Sequence, residues 1–121
     1  PEREKIIKQT AQLDGKKVTV WVEQEPGSGG KESAENTVRN LQGFTCKIEK
    51  VTGDKVTRAE PLSCQVEIGN FYVVEGEYLH GQEGFMNQVK MFPNGKLKDM
   101  IDAAGGAYNK LTTNQSLIEL L

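Results

Sequence analysis

The 121-residue sequence has little of what marks membrane, secreted or zinc-binding proteins. Its two cysteines, Cys46 and Cys64, are too few for a disulfide scaffold or a zinc site, which favours reduced thiols in a cytosolic protein. No apolar run approaches the roughly 20 residues that span a bilayer, and no signal-peptide pattern opens the chain. The 15 basic and 17 acidic residues give a net charge of −2, so nucleic-acid binding would need a local basic patch. The single histidine, His80, is assigned no catalytic role.

What is present fits an ordinary globular domain. Hydrophobic residues make up 36% of the chain and charged residues 26%, which excludes collagen-like and disordered classes. The length predicts a single domain over residues 1–121, with a core over 1–111 and a partly ordered tail over 112–121. Because the first residue is Pro1 rather than Met, we expect the chain to be a fragment of a longer protein.

Helical and strand patterns alternate along the chain. Amphipathic spacing predicts helices over residues 2–13, 33–43, 58–68 (interrupted by Pro61), 85–92 and 97–111. Strands are predicted over residues 18–22, 45–51 and 71–75, with turns at 14–15 and 52–55. This order predicts an α/β fold in which the first two strands pair in parallel through a right-handed crossover. Because three strands make a small sheet for such a fold, we expect further strands upstream of Pro1.

A carboxylate follows the first predicted strand. Residues 18–22 have the β-branched and aromatic composition of a buried strand, and Glu23 comes directly after them. Ligands bind beyond the carboxyl ends of parallel strands, where a carboxylate can hold a hard divalent cation. The alternative is that Glu23 only marks the end of the strand, in solvent.

A glycine-rich loop over residues 26–31 precedes the second helix, for which Ser33 is the predicted N-cap. Its free amides and the helix dipole would favour a phosphate. A nucleotide-binding P-loop is disfavoured, because Glu25 and Glu32 stand where that motif requires Gly and Ser or Thr. A contact from this loop to a nucleic-acid phosphate and a plain flexible turn both remain open. The candidate nucleic-acid contacts are Lys31, Lys55, Arg58 and Lys96.

Two acidic residues, Asp99 and Asp102, are i, i+3 neighbours on the last predicted helix, opposite its apolar stripe. Gly105 and Gly106 lie beside them, although each glycine costs a helix about 1 kcal/mol relative to alanine. The glycines predict that a sheet, a metal or a substrate backbone approaches this face closely. Two helix carboxylates with one at a strand end make a workable two-metal constellation. The alternative is a solvated polar face.

Several segments, taken in order, resemble the C-terminal nuclease domain of the large terminase subunit of tailed phages and prophages. They are residues 9–15, 22–31 (VEQEPGSGGK), 53–55, 58–63 (RAEPLS), 92–95 (FPNG) and 99–103 (DMIDA). The resemblance extends from about Glu2 to Leu111. It implies an RNase H-like fold, a mixed sheet flanked by helices, whose first strands are missing from this fragment. It also implies a metal-dependent endonuclease that cuts concatemeric double-stranded DNA during genome packaging.

The resemblance implies roles for three acidic residues. Members of this family bind two Mg²⁺ or Mn²⁺ ions, which activate a water and stabilise the leaving oxygen. Glu23 matches the strand-end acid, and Asp99 and Asp102 match the helix motif His-Asp-Asp-x-x-Asp-Ala, so these three are the expected catalytic and metal-binding residues. Leu97 and Lys98 replace the His and the first Asp of that motif. The family's first catalytic Asp would lie upstream of this segment, so we expect the fragment alone to be a poor nuclease.

The implied partners are double-stranded DNA, the N-terminal packaging ATPase domain of the same subunit, the terminase small subunit and the portal. The implied location is the cytoplasm of the bacterial host, with no membrane. Two other functions stay open. One is a non-catalytic DNA-packaging interaction or regulatory domain on the same fold, which Leu97 and Lys98 favour. The other is a small phosphate- or nucleotide-binding enzyme, for which residues 27–31 are the only support.

Overall fold

The structure is a computed structural model that describes the backbone of residues 1–50 and 55–120 and the side chains of residues 1–50 and 56–112. The chain divides into two compact units, Pro1–Thr52 and Gly53–Leu121, which are described one at a time. The predicted single domain over 1–121 stays a prediction. Residues 51–54, with most of the predicted turn at 52–55, lie outside the described residues. The described elements are α1 (Glu2–Asp14), β1 (Val20–Gln24), α2 (Ser28–Asn40), β2 (Cys46–Lys50), α3 (Lys55–Glu67), a 3₁₀ turn (Glu77–Leu79), α4 (Phe85–Met91) and α5 (Asp99–Leu120).

The first unit contains a parallel strand pair connected by a helix. β1 and β2 run in parallel, with Val20 opposite Cys46 and Gln24 opposite Lys50, which confirms the predicted pairing. α2 connects the strands and packs against both. Its buried residues Ala34 and Thr37, together with Leu41 at its C-terminal end, form the core of this unit with Val22 of β1.

The first strand was predicted wrongly in position and in burial. It spans Val20–Gln24 rather than 18–22, and Val22 is its one buried residue. Val18 is 44% exposed and Trp21 is 39% exposed. Side chains alternate across a strand, so Trp21 lies on the face opposite Val22. There the Lys47 ammonium sits 5.6 Å from the centre of the Trp21 ring. The apolar run therefore indicated a strand correctly, but only one face of that strand is buried.

The glycine-rich segment was predicted to be a flexible loop, and that prediction is wrong. α2 begins at Ser28, so Gly29 and Gly30 lie inside its first turn. Gly27 precedes the helix with φ of 98°, a conformation that favours glycine. A Cβ on Gly30 would collide with the carbonyl oxygen of Glu25, so the backbone folds tightly onto itself here. Ser33 is not the N-cap either, because it lies within the helix and its carbonyl accepts a hydrogen bond from Thr37 Oγ1 at 3.2 Å.

α1, predicted over residues 2–13, is confirmed as Glu2–Asp14 and is joined to α2 through Glu4. Glu4 Oε1 accepts from Thr37 Oγ1 at 2.8 Å, and Glu4 Oε2 accepts from Asn40 Nδ2 at 3.3 Å. The Thr37 hydrogen bond is the main reason that the pKa of Glu4 lies below its ordinary value. Burial raises the pKa of the Cys46 thiol, and Cys46 and Cys64 are both free.

The second unit is built from helices in its described residues. α3 and α5 pack against each other, and α4 packs against α5. The buried apolar side chains are Ala59, Leu62, Leu79, Phe85 and Ile101. α3 spans Lys55–Glu67 and continues through Pro61, so the predicted interruption is wrong. α4 at Phe85–Met91 confirms the helix predicted over 85–92.

The third predicted strand, over residues 71–75, is wrong: this segment belongs to no strand among the described residues. The Phe71 ring packs against Phe85, with 6.3 Å between ring centres. Tyr72 is 87% exposed and Val74 is 82% exposed. β-branched and aromatic residues favour an extended backbone, but a strand also needs a neighbouring strand to pair with. The composition of the segment could not supply that partner.

α5 differs from its prediction at both ends and in its buried face. It starts at Asp99 rather than at residue 97 and runs to Leu120, past the predicted end at 111. Leu97 and Leu111, assigned to the apolar stripe, are 43% and 70% exposed. Ile101, a member of the same predicted stripe, is buried as expected, and the buried side continues through Gly105. Within the described part of the chain, no helix combines the length and the hydropathy needed to cross a membrane.

Candidate functional site

The first turn of α5 carries the two predicted carboxylates, and we call residues 99–102 the acidic turn. The backbone N–H of Asp102 donates to the Lys98 carbonyl at 2.8 Å, so Lys98 stands at the N-cap position. Asp99 is exposed and Asp102 is half-buried. The positive end of a helix dipole stabilises carboxylates in its first turn. The acidic turn therefore presents two carboxyl groups on neighbouring positions, as the i, i+3 spacing predicted.

A buried glutamine holds the acidic turn from the neighbouring helix. Gln88 of α4 is 5% exposed, and its Oε1 accepts a hydrogen bond from the backbone N–H of Met100 at 3.0 Å. Its Nε2 donates to the Glu83 carbonyl at 3.2 Å. The first N–H groups of a helix have no partner within that helix. Gln88 thus supplies the acceptor that Met100, the second residue of α5, lacks.

Sequence reasoning missed Gln88, although one signal was available. Gln88 lies at i+3 in the apolar stripe formed by Phe85, Val89 and Phe92 of α4, so a polar side chain interrupts a buried face. A buried polar side chain needs hydrogen-bond partners. The pattern could have marked Gln88 as a residue with a partner elsewhere. It could not have named Met100, which is 12 residues away in another helix.

The two glycines of α5 lie against α3. A Cβ on Gly105 would stand 3.5 Å from Ala59 Cα, and one on Gly106 would stand 3.9 Å from Nη2 of Arg58. Asn109 Nδ2 fixes the same contact by donating to the Arg58 carbonyl at 2.9 Å. The close neighbour is therefore a helix. None of the three candidates expected from the sequence, a sheet, a metal or a substrate backbone, is needed to explain these glycines.

Asp102 lies beside this helix contact rather than opposite the buried face of α5. It lines a small cavity with Arg58, Ala59, Ile101 and Gly105. The sequence prediction placed both acids opposite the apolar stripe, and for Asp102 that is wrong because Gly105, and not Leu97 or Leu111, continues the buried side. The arrangement brings the cationic Arg58 side chain and the Asp102 carboxylate to the same cavity.

The other predicted DNA contacts lie at helix ends and on exposed surface. Lys31 is exposed in the first turn of α2, and Lys96 is exposed just before α5. Arg58 is half-buried in α3. Lys55 begins α3, and its side chain lies outside the described residues. Their contacts with nucleic acid stay predictions.

Glu23 is the fourth of five residues in β1, so it lies inside the strand near its carboxyl end and not after it. Glu49 of β2 stands directly opposite Glu23 in the register. Adjacent strands lie about 4.8 Å apart, so two half-buried carboxylates flank each other on one sheet face. Sequence reasoning did not single out Glu49. The alternation of residues 46–49 marks Glu49 as a strand residue. Only the register of the two strands shows that it lies opposite Glu23.

Glu23 belongs to the first unit, and Asp99 and Asp102 belong to the second. The predicted two-metal constellation of these three residues therefore stays a prediction. Among the described residues, no group of three or more His, Cys, Asp or Glu side chains is placed to hold a metal ion.

The comparison with protein families is decisive for the fold. The family described as "Terminase RNaseH-like domain" matches residues 1–111. The chain belongs to this family. The RNase H-like fold expected from the resemblance is thereby confirmed for this terminase domain, and the matched range includes both strands and the acidic turn. The search of curated proteins and the search of solved structures each found no match.

The resemblance to terminase nucleases implies a divalent cation, and the donors of this terminase domain can be tested against it. Carboxylate oxygens are the ligands that Mg²⁺ and Mn²⁺ prefer. The acidic turn offers two of them, Asp99 and Asp102, and the Lys98 ammonium next to them opposes a cation. The donor chemistry of Asp99 and Asp102 fits such a cation, and metal binding by them stays a prediction.

Proposed function

We propose that this terminase RNaseH-like domain is the nuclease domain of a phage terminase large subunit. It would be a metal-dependent endonuclease that cuts concatemeric double-stranded DNA during packaging. The observation that carries the proposal is the acidic turn. Asp99 and Asp102 lie in one helical turn, and buried Gln88 accepts the hydrogen bond of its Met100 backbone amide. Membership of the terminase RNaseH-like family supports it.

Glu23, Asp99 and Asp102 are the proposed ligands of Mg²⁺ or Mn²⁺. When bound, two such ions supply an activated water and stabilise the leaving oxygen of a phosphodiester. Asp99, exposed at the first residue of α5, is open to solvent and substrate. Asp102 is half-buried, and it lies in the same first turn that Gln88 holds.

Double-stranded DNA is the proposed substrate, and Lys31, Lys55, Arg58 and Lys96 are the proposed phosphate contacts. Lys31 is the strongest of these, because it combines its own charge with the exposed first turn of α2, where backbone amides and the dipole favour an anion. We also propose the partners that the resemblance implies: the packaging ATPase domain of the same subunit, the terminase small subunit and the portal, in the cytoplasm of a bacterial host.

Nicking of supercoiled plasmid DNA with Mn²⁺ tests the nuclease. We expect Mn²⁺-dependent nicking from the terminase subunit that contains this domain. In that subunit, Asp99→Ala should abolish nicking. Asp14→Ala, which removes an exposed acid at the end of α1, is the matched control. Cleavage by Asp99→Ala at the parent's rate would contradict the proposal.

A non-catalytic packaging or regulatory domain is the second candidate. Lys98 favours it, because it places an ammonium at the N-cap of the acidic turn, where a third carboxylate would strengthen a metal site. Mn²⁺ titration separates the two functions. In a nuclease, the ion should perturb the backbone amides around Asp99 and Asp102, and in a non-catalytic domain it should leave them unchanged.

A further inference from the structure

We propose that Gln88 is a positioning residue for Asp99 and Asp102: its side-chain amide fixes the first turn of α5, and binding of a divalent cation by the acidic turn depends on it. The inference rests on the proposed function, because it concerns the same carboxylates. Gln88 itself would touch neither metal nor DNA.

The backbone of Gln88 is fixed before its side chain acts. Its N–H donates to the Gly84 carbonyl at 3.1 Å, and its carbonyl accepts from the Phe92 N–H at 3.0 Å. Both are backbone hydrogen bonds of the α-helical i, i+4 pattern of α4. The side chain therefore projects from a rigid base, and at 5% exposure it has little water to compete for its amide.

The acceptor on the other side of Gln88 is also held in place. Gln88 Nε2 donates to the Glu83 carbonyl, and Glu83 precedes Gly84. Gly84 donates to the Gly81 carbonyl at 3.2 Å, and a Cβ on Gly84 would collide with the backbone of His80. The loop before α4 thus folds tightly on itself. With Nε2 bonded to this loop, Oε1 faces the Met100 N–H.

The hydrogen bond to Met100 bears directly on the two carboxylates. Met100 follows Asp99 and lies two residues before Asp102, so its N–H is part of the turn that sets their spacing. Without an acceptor, that N–H would be left unsatisfied near the buried core, at a cost that favours fraying of the turn. Ligands that are free to move bind a metal more weakly than ligands held by neighbouring hydrogen bonds.

Three variants of the full 121-residue chain test this role. Gln88→Met keeps the length and the volume of the side chain but replaces its amide with a thioether, which is a weak acceptor. Gln88→Asn keeps the amide but shortens the side chain by one methylene, so that its oxygen no longer reaches the Met100 N–H. Asn87→Leu is the matched control, because Asn87 also bonds a loop carbonyl from α4, that of Gln82 at 2.8 Å, without reaching α5.

Two readouts are measured by NMR: hydrogen exchange of the Met100 amide, and Mn²⁺ affinity from broadening of the amides of residues 99–102. In Gln88→Met we expect Met100 to exchange about tenfold faster and Mn²⁺ to bind about tenfold more weakly, the usual range for a residue that orients a ligand. Gln88→Asn should lose protection and affinity in the same direction, and Asn87→Leu should remain within about twofold of the parent in both readouts.

The outcomes separate this inference from the proposed function. Faster Met100 exchange with unchanged Mn²⁺ affinity in Gln88→Met would make Gln88 purely structural and overturn the inference. An equal loss in Asn87→Leu would overturn it too. If Gln88→Met does not fold, Gln88→Asn still decides, because unchanged Met100 protection or unchanged Mn²⁺ binding in a folded Gln88→Asn overturns the inference. A parent chain whose amides of residues 99–102 do not respond to Mn²⁺ overturns the inference, whereas the proposed function is decided separately by the loss of plasmid nicking in Asp99→Ala.

Discussion

The two units each set a pair of carboxylates side by side, and they do so by different means. In the first unit, strand register places Glu23 opposite Glu49, residues 26 positions apart in the chain. In the second unit, one helical turn brings together Asp99 and Asp102. A helical pair depends on local spacing, whereas a register pair depends on where two strands meet. The first pair is therefore sensitive to anything that shifts β1 against β2, and the second to anything that frays the start of α5.

The largest expected effect is the loss of DNA cleavage when a carboxylate of either pair is removed. In the terminase subunit that contains this domain, Glu23→Ala and Asp99→Ala should each reduce Mn²⁺-dependent nicking of plasmid at least about a hundredfold, because each removes a proposed metal ligand. Glu49→Ala should reduce it less, since the resemblance assigns Glu23 alone to the site. Equal losses in Glu23→Ala and Glu49→Ala would show that the register pair acts as a unit.

Local spacing also explains which parts of the fold could be predicted from the sequence. The helix that carries Asp99 and Asp102, and the parallel pairing of the first two strands, follow from periodicity and from the helix between them. The start of α2 at Ser28 could not be predicted, because Gly29 and Gly30 have low helix propensity and the collision that makes Gly30 necessary involves the backbone of Glu25. The strand expected over 71–75 failed for a similar reason: pairing depends on a partner that the segment itself does not contain.

The Gln88 cap belongs to the same class of unpredictable features. The hydrophobic stripe of α4 marks Gln88 as an exception, but the N–H that it accepts belongs to another helix. Likewise, a glycine at position 105 of a helix indicates a close neighbour, and only the packing of α3 identifies Ala59 as that neighbour.

The next effect is on stability, and it separates two adjacent glycines of the first unit. Gly30→Ala should destabilise the chain by about 1–3 kcal/mol, because the added Cβ meets the Glu25 carbonyl and the backbone must shift. Gly29→Ala is the matched control: no atom lies within 4 Å of the added Cβ, so helix propensity should stabilise the chain by up to about 1 kcal/mol. Urea unfolding measures both changes. Equal effects of the two substitutions would contradict the tight turn at the start of α2.

A smaller effect is expected from Lys98, whose ammonium lies next to Asp99 and Asp102 in the chain. Lys98→Asp should strengthen Mn²⁺ binding by the acidic turn about fivefold, because reversing a charge near an exposed site changes the interaction by about 1 kcal/mol. Lys96→Asp is the control, as it makes the same charge change two residues earlier. NMR titration with Mn²⁺ compares them. Similar gains in both variants would show a general effect of net charge, and no gain in either would count against metal binding at Asp99 and Asp102.

The smallest expected effect concerns the hydrogen bonds that join α1 to α2 in the first unit. Glu4→Gln should lower the free energy of unfolding at pH 7 by about 1 kcal/mol, because a neutral amide accepts more weakly from Thr37 than a carboxylate does. The pKa of Glu4 is lower in the folded protein than its ordinary value, chiefly because of that bond. Its contribution is therefore complete at neutral pH and is lost as the pH falls below about 4.3, the ordinary pKa of a glutamate, and through the lower folded value. The difference between parent and variant should shrink over that acid range, whereas Glu2→Gln, an exposed acid of the same helix, should show little difference at any pH. Urea unfolding at pH 7 and at several acid pH values tests this, and a gap for Glu4→Gln that does not change with pH would mean that the carboxylate charge contributes nothing to the contact between α1 and α2.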